Sequence, residues 1–344
     1  MLVKKIKTED AVGKVLQHDI TRIVKGEFKG RLFQKGRIIT KEDVPKLLDV
    51  GKDNIYILDL GEDDVHEDEA GVRLGDAVKG EGTSWVGPKE SRVNIHANYD
   101  GLFKVNVSAL EEINDLPNII LSTLPNNTIV KKGEMLAGTK VIPLVVSEKD
   151  IATAEKICDE ADWIVKVLPF QKKRVGVIIT GNEVFYKRIP DGFGPVIKKK
   201  VEAFGSEILE IEFTPDDAQF IASKIKSMKD KGADIIFVTG GMSVDPDDVT
   251  PKAIGMSGAK IEKYGAAALP GAMFMLAYLG DVPIMGIPAC GMFFKVTVIE
   301  LILPRLLAGE KVVRRDIVAL GHGGLCSACP QCSFPKCSFG KGSI

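Results

Sequence analysis

Short apolar runs and amphipathic stretches alternate through the second half of the chain. Val175-Gly176-Val177-Ile178-Ile179 has no polar member, the pattern of a strand covered on both faces. The spacing predicts a helix over about 195–204 and a strand over 207–213. A further helix over 216–231 stops at Gly232, and a second buried strand follows over 234–238. Strands are expected at 261–264, 272–279 and 283–287, and an apolar helix over about 291–307. Strand–helix alternation at this spacing implies right-handed βαβ units and a mostly parallel sheet. The expected fold class is α/β, a doubly wound sheet preceded by a smaller mixed α/β or β-rich region.

The first half carries weaker periodicity. Thr8-Glu9-Asp10 before Ala11–Leu16 reads as a helix start, and the Gly- and Lys-rich stretch 21–39 as a hairpin. Thr40-Lys41-Glu42-Asp43 resembles a capping box for a helix ended by Gly51, with a strand over 54–58. The acidic run 61–69 reads as a solvated linker or helix face. A turn at 131–134 precedes a strand around 140–146, and Ser147 caps a helix through Ala161. The expected divisions are 1–60, 61–171 (β-rich with a linker helix), 172–310, and a Cys-rich tail, 321–344.

Composition narrows the function classes. With 45% hydrophobic and 27% charged residues, the 344-residue chain reads as a globular protein of two or three domains. A formal net charge of −1 gives no global case for nucleic acid or an anionic membrane. The start MLVKKIKTEDAVGKVL has no apolar core of a signal peptide. The longest apolar candidate, 270–307, is broken by Gly280, Asp281, Pro283, Pro288, Lys295 and Glu300. A cytoplasmic location follows as the expectation, with thiols kept reduced.

Two loops fall where open α/β sheets bind ligands, outside the carboxyl ends of strands. Thr180-Gly181-Asn182-Glu183 follows the first buried strand. Thr239-Gly240-Gly241-Met242-Ser243 follows the second. Adjacent glycines let backbone N–H groups approach an anion, and Ser243 adds a hydroxyl, although a Gly-Gly turn can also be a plain tight turn. Thr250-Pro251 reads as a helix N-cap with Pro at the first position, a further place for an anion. Asp245, Asp247 and Asp248 would repel a phosphate unless a cation such as Mg²⁺ bridges them; Asp245 and Asp247 can equally be solvated loop residues.

These stretches, with the Gly-Gly-Met-Ser-Val-x-x-x-Asp run 240–248, resemble the molybdopterin-binding domain of molybdenum-cofactor biosynthesis proteins. The nearest likeness is to MoeA-type molybdopterin molybdotransferases, over residues 172–310. Asp248 matches an acid of both the MoeA-type and the Mog-type patterns. The resemblance implies binding of the dithiolene pterin through its phosphate and, in MoeA-type members, molybdate insertion with Mg²⁺. It assigns Glu183 and Asp248 to catalysis, Asp248 also to the metal. It assigns Thr180, Gly181, Gly240, Gly241, Ser243, Thr250 and Pro288 to the cofactor; Asn182 and Cys290, which depart from the pattern, are read beside them as cofactor-binding candidates.

The chain departs from that pattern at several places. Asn182 stands where the family's Thr-Gly-Asp-Glu has Asp, and Asp245 where it has Gly. Leu269-Pro270-Gly271-Ala272 replaces Lys-Pro-Gly-Lys, and Pro288-Ala289-Cys290-Gly291 replaces Pro-Gly-Asn-Pro. Two missing cations should weaken oxyanion binding. Cys290 reads as a small hydrophobe or, more sharply, as a soft ligand near molybdenum; Cys158 reads as core, and His18, His66 and His96 carry no partner pattern.

The tail has Cys326-x2-Cys329-x2-Cys332-x4-Cys337 behind a Gly-rich lead-in that suggests mobility. Four thiolates at this spacing suit a four-iron cluster or tetrahedral Zn²⁺, with no metal as the third alternative, and the long loop of a zinc ribbon is missing. The first functional reading is therefore a transferase of molybdenum-cofactor maturation. The alternatives are a non-catalytic carrier or redox-responsive sensor, and Mog-type adenylyl transfer. Expected partners are molybdopterin, other cofactor-biosynthesis proteins or a molybdoenzyme, and a second copy of the chain, with neither nucleic acid nor membrane.

Overall fold

The computed structural model describes residues 2–24, 28–59, 61 and 63–342. The chain divides into two compact units. The first comprises Met1–Asn98, Val105–Leu124 and Lys132–Lys166; the second comprises Tyr99–Lys104, Pro125–Lys131 and Val167–Ile344. Among the described residues, no helix is long and apolar enough to cross a membrane.

The first unit is β-rich. Leu2–Lys7, Asn54–Asp59 and Val15–Leu16 form a small antiparallel sheet, and Ile20–Val24 pairs with Phe28–Phe33 as a hairpin. Residues 25–27 of the expected hairpin lie outside the described residues, as does Glu62 of the acidic run. Ile119–Thr123, Met135–Val141, Arg92–Ala97 and Thr83–Lys89 make a four-stranded antiparallel sheet in that order. The helix Glu67–Val78 packs on it through Gly75, where an added Cβ would lie 2.9 Å from Val93. Arg73 holds this helix to Glu148–Glu160, donating to the Glu148 and Glu155 carboxylates at 2.7 Å each.

Several local expectations change here. The stretch expected as a helix over 11–16 is a single 3₁₀ turn, Thr8–Ala11, followed by the strand Val15–Leu16; six residues bury too little to hold a helix once a neighbouring strand offers hydrogen bonds. The acidic run becomes the strand Asp64–His66 and the first turn of the helix Glu67–Val78, where acids favour the positive end of the dipole. His66 caps that helix by accepting from the Asp68 N–H at 3.2 Å, and its other ring nitrogen bonds the Gly36 carbonyl. The region around 140–146 is two strands, Met135–Val141 and Val145–Ser147. Cys158 is buried in the core, as expected.

The second unit contains the doubly wound sheet. Its strands are β1 (Arg174–Thr180), β2 (Glu207–Thr214), β3 (Ile235–Thr239), β4 (Lys260–Tyr264), β5 (Met275–Leu279) and β6 (Val282–Ile287), in the order β2-β1-β3-β6-β5-β4. β2, β1, β3 and β6 are parallel; β5 is antiparallel to both of its neighbours, so β4 again runs with the majority. The helices α1 (Phe193–Glu202), α2 (Ala218–Asp230), α3 (Thr250–Met256) and α4 (Ile299–Leu307) cover the two faces.

Period-two alternation within β1 explains the two cores. Val175, Val177 and Ile179 join Ile197 and Val201 of α1 and Ile302 of α4 on one face. Ile178 joins Ile221 and Ile225 of α2 and Ile254 of α3 on the other. Burying each such side chain contributes about 1.5–3 kcal/mol. Gly176 sits in close packing: a Cβ there would lie 2.6 Å from the Met228 side chain of α2, which would have to shift. The helix expected over 291–307 is split into Cys290–Phe293 and α4, with Phe294 extended at the break.

The expected mobile tail is instead folded onto this unit. The Leu269 N–H donates to Gly324 at 2.7 Å, and the Cys326 N–H to Leu269 at 2.8 Å. Phe339 is buried, and Cys326 and Cys337 pack against the α1/α4 core. Ser343 and Ile344 lie outside the described residues.

Candidate functional site

The strand order reverses between β1 and β3. From β1 the chain crosses to β2 on one side, and from β3 it goes to the strands on the other. The loops after β1 and β3 therefore diverge and leave a crevice at the carboxyl edge. The predicted loops stand at this point, Thr180–Glu183 and Gly240–Ser243.

A hydroxyl relay joins them. Thr250 donates from Oγ1 to the Gly240 carbonyl at 2.8 Å, and the Thr180 and Thr250 hydroxyls are 3.3 Å apart. Because the one Thr250 hydroxyl proton is committed to Gly240, Thr180 is the donor to Thr250. The Thr250 side chain is thus not the helix cap that the Thr-Pro pair suggested. Val249 occupies the cap position of α3, and Thr250 is turned onto the glycine loop.

Backbone geometry favours glycine at both positions. Gly240 has φ +92° and Gly241 φ +55°. A Cβ on Gly240 would lie 2.2 Å from the Thr180 carbonyl oxygen, closer than any side chain tolerates. Met242 turns inward and is buried against Gly286 of β6, where a Cβ would meet it at 2.7 Å. Ser243 remains exposed. Across Gly181, the Glu183 carboxylate folds back so that a Cβ there would lie 2.7 Å from Oε1.

Two residues not singled out from sequence belong to this edge. Asp216 follows β2, and its carboxylate accepts the Asn182 N–H at 2.9 Å. Burial, and then the negative charges of Glu183, Asp247 and Asp248, raise the Asp216 pKa above the usual carboxylate value; the Asn182 N–H acts the other way. Tyr264, the last residue of β4, donates to the Met242 carbonyl at 2.8 Å. Its pKa is raised by burial and by Asp248. The signal for both was position at a parallel strand's carboxyl end. For Asp216 that was available from the strand–helix alternation. For Tyr264 it was not, because the direction of β4 depends on the antiparallel β5.

The remaining predicted residues scatter more. Asp248 accepts the Asp245 N–H at 3.0 Å, closing an acidic turn that leaves Asp245 and Asp247 exposed. Pro288 is buried at the end of β6, and half-buried Cys290 opens the short helix beyond it. Burial raises the Cys290 thiol pKa, which disfavours the thiolate that a soft metal needs. Among the described residues, the hydroxyls of Thr214 and Thr239, at the ends of β2 and β3, are fully buried with no hydrogen-bond partner. Such atoms normally bond water or a ligand.

The four tail cysteines line one cavity of about 390 Å³, together with Phe293, Phe294 and Lys295. Cys326 and Cys337 are half-buried, Cys329 and Cys332 exposed, and none is in a disulfide. Among the described residues, no group of three or more His, Cys, Asp or Glu is gathered to hold a metal ion, in the tail or at the crevice. The acids that act on Asp216 thus form a shared negative field rather than a preformed coordination shell.

An open sheet with paired glycine loops at its switch point defines a ligand-binding α/β domain. Residues 176–308 match the family described as "Probable molybdopterin binding domain", and the molybdopterin-binding domain family is therefore represented in that segment. Residues 5–59 match a family described only as a domain of unknown function. Among curated proteins, the chain is similar to the CinA-like protein of Mycobacterium avium, 31% identical over 81 residues, which are 24% of this chain and 19% of that protein. The CinA-like protein of Mycobacterium tuberculosis is 32% identical over the same shares. The matched part is about a fifth of the length of these relatives. Among solved structures, the molybdopterin biosynthesis enzyme MoaB of Thermus thermophilus is 20% identical, with TM-score 0.34, over 40% of this chain and 98% of that one. CinA of Thermoplasma acidophilum is 15% identical, with TM-score 0.33, over 36% and 92%.

Proposed function

We propose that the second unit binds molybdopterin, or its adenylated form, in the crevice between β1 and β3 and serves molybdenum-cofactor maturation. In this reading, backbone N–H groups of Gly240 and Gly241 and the Ser243 hydroxyl receive the ligand's phosphate. The observation that carries the reading is the glycine loop tied to Thr180 and Thr250 by hydrogen bonds, beside the Thr239 hydroxyl at the end of β3, which has no partner among the described residues. The family match of residues 176–308 supports the same ligand.

The acids set the cation requirement. Glu183, Asp247 and Asp248 act together on Asp216 and would oppose a bound phosphate. Mg²⁺ is commonly held by one or two carboxylates plus ligand oxygens, so an acidic edge without a preformed shell suits an ion that arrives with the ligand. Asp248 and Glu183 would hold it, and the ion would neutralise charge between the carboxylates and the phosphate or molybdate oxygens. Titration with purified molybdopterin, with and without Mg²⁺, tests the reading. Affinity no greater than for unrelated nucleotides would refute it.

A second reading, a non-catalytic carrier, is favoured by Leu269–Ala272, which offers no lysine where the resembled transferases have two. Binding without molybdate insertion would select it. The tail cysteines are proposed to take an iron–sulfur cluster or Zn²⁺ by moving together on metal uptake, since all four already face one cavity.

A further inference from the structure

A large cavity of the second unit is separate from the crevice. Its volume is about 1040 Å³, at the upper end of small-molecule sites, and every lining residue belongs to that unit. Its walls are aromatic and aliphatic: Phe170, Phe204, Phe293, Phe294, Val296 and Phe334. Phe170 and Phe204 meet edge to face, with ring centroids 5.1 Å apart, and give a rigid base. Phe293 is 75% exposed and Phe294 51%, an unusual amount of open aromatic surface.

The polar lining is mostly cationic. Lys131, Lys199, Lys200 and Lys295 face two carboxylates, Asp100 and Glu300. Lys131 pairs with Asp100 at 2.8 Å, and Lys200 with Glu300. The Glu300 carboxylate also accepts the Thr297 N–H at 2.7 Å, so both acids are committed. Among the described residues, the Lys199 and Lys295 ammonium groups have no hydrogen-bond or ion-pair partner.

We infer that this cavity is a binding site for an amphipathic organic anion, with an aromatic or aliphatic body and one carboxylate, sulfonate or phosphate group. The body would replace water against the phenylalanines, and Lys199 and Lys295 would meet the anion at the rim. A neutral apolar ligand would leave both cations unmatched, and an inorganic anion would leave the aromatic walls wet. None of the crevice residues Thr180, Gly240, Gly241 or Thr250 lines the cavity, so this inference does not depend on the molybdopterin reading. Phe334 and Pro335, between Cys332 and Cys337, supply one wall, which places the cysteine tail beside the ligand.

The test uses the full chain and the aromatic anion 1-anilino-8-naphthalenesulfonate. One molecule should bind per chain, with blue-shifted emission and a Kd on the order of 10 µM. The neutral N-phenyl-1-naphthylamine should bind roughly tenfold more weakly, and the double variant Lys199→Gln/Lys295→Gln should lose about tenfold for the sulfonate but not for the neutral probe. Decanoate should displace the sulfonate, and inorganic phosphate should not. Equal binding of both probes, an unaffected double variant, or no saturable binding would each overturn the inference. Displacement by molybdopterin would move the probe to the crevice and also overturn it. Probe binding that emerges only on dilution, in step with loss of a dimer by sedimentation, would show that a second copy covers the cavity and would overturn it too.

Discussion

The Asn182 N–H donates to the Asp216 carboxylate at 2.9 Å, and the Asp216 N–H donates back to the Asn182 side-chain oxygen at 3.3 Å. This reciprocal pair ties the loop after β1 to the loop after β2 and holds a carboxylate among other acids. Burial raises the Asp216 pKa above the ordinary carboxylate range. A raised carboxyl pKa contributes stability below the unfolded value and loses it as pH rises through the folded value. Asp216→Asn keeps an oxygen acceptor for Asn182 and removes the charge. It is expected to have a higher Tm than the parent at pH 7, with the gain shrinking toward about pH 4. Thermal melts across that range check this, and a gain independent of pH would contradict it.

Gly240→Ala should cost roughly 2–4 kcal/mol, because the left-handed backbone and the Thr180 carbonyl both oppose a Cβ. The same change at Gly133, with φ +81° and nothing within 4 Å of an added Cβ, should cost only the backbone strain, about 1–2 kcal/mol. Urea unfolding of the two variants measures the difference. Molybdopterin affinity should fall only for Gly240→Ala.

Thr250→Val should leave the Gly240 carbonyl and the buried Thr180 hydroxyl without their partner, costing about 1–3 kcal/mol. Thr250→Ser retains the hydroxyl and should recover most of that loss. Denaturation midpoints of the pair distinguish a hydrogen-bonding role from simple packing.

Asp248→Asn should weaken Mg²⁺-dependent molybdopterin binding far more than Asp245→Asn. The Asp248 side chain is fixed by the Asp245 N–H and perturbs Tyr264, whereas the Asp245 side chain is exposed. Asparagine at 248 can still accept that N–H, so the turn should survive. Titrations at matched Mg²⁺ concentrations decide the matter, and equal losses would mean that the wrong acid has been chosen.

Anaerobically purified protein is expected to contain iron and labile sulfide, both lost in Cys329→Ser. Metal and sulfide analysis checks this. Zinc without iron would make the tail structural, and metal-free protein would remove the metal reading.

The second unit was legible because its local signals agree. Val175–Ile179 and 234–238 are apolar throughout, as strands covered on both faces must be, and the helices between them carry one apolar stripe. The glycine loops were visible for the same reason, since glycine adopts the left-handed backbone of those turns at the least steric cost. Ala11–Leu16 misled, and the acidic run 61–69 is a helix face only from Glu67 on, with a strand before it, because short segments take the conformation their neighbours can hydrogen-bond. Thr250 looked like a helix cap; its hydroxyl serves a glycine carbonyl ten residues earlier in the chain. By itself the sequence determined the sheet, its two covered faces and the position of its carboxyl-edge loops, all set by periodicity over a few residues. Tertiary structure alone decided that Asp216 and Tyr264 join those loops, that the tail folds back, and that Lys199 and Lys295, without partners among the described residues, stand beside an aromatic cavity. Those relationships depend on which strands become neighbours and which way each one runs, and no local pattern encodes that.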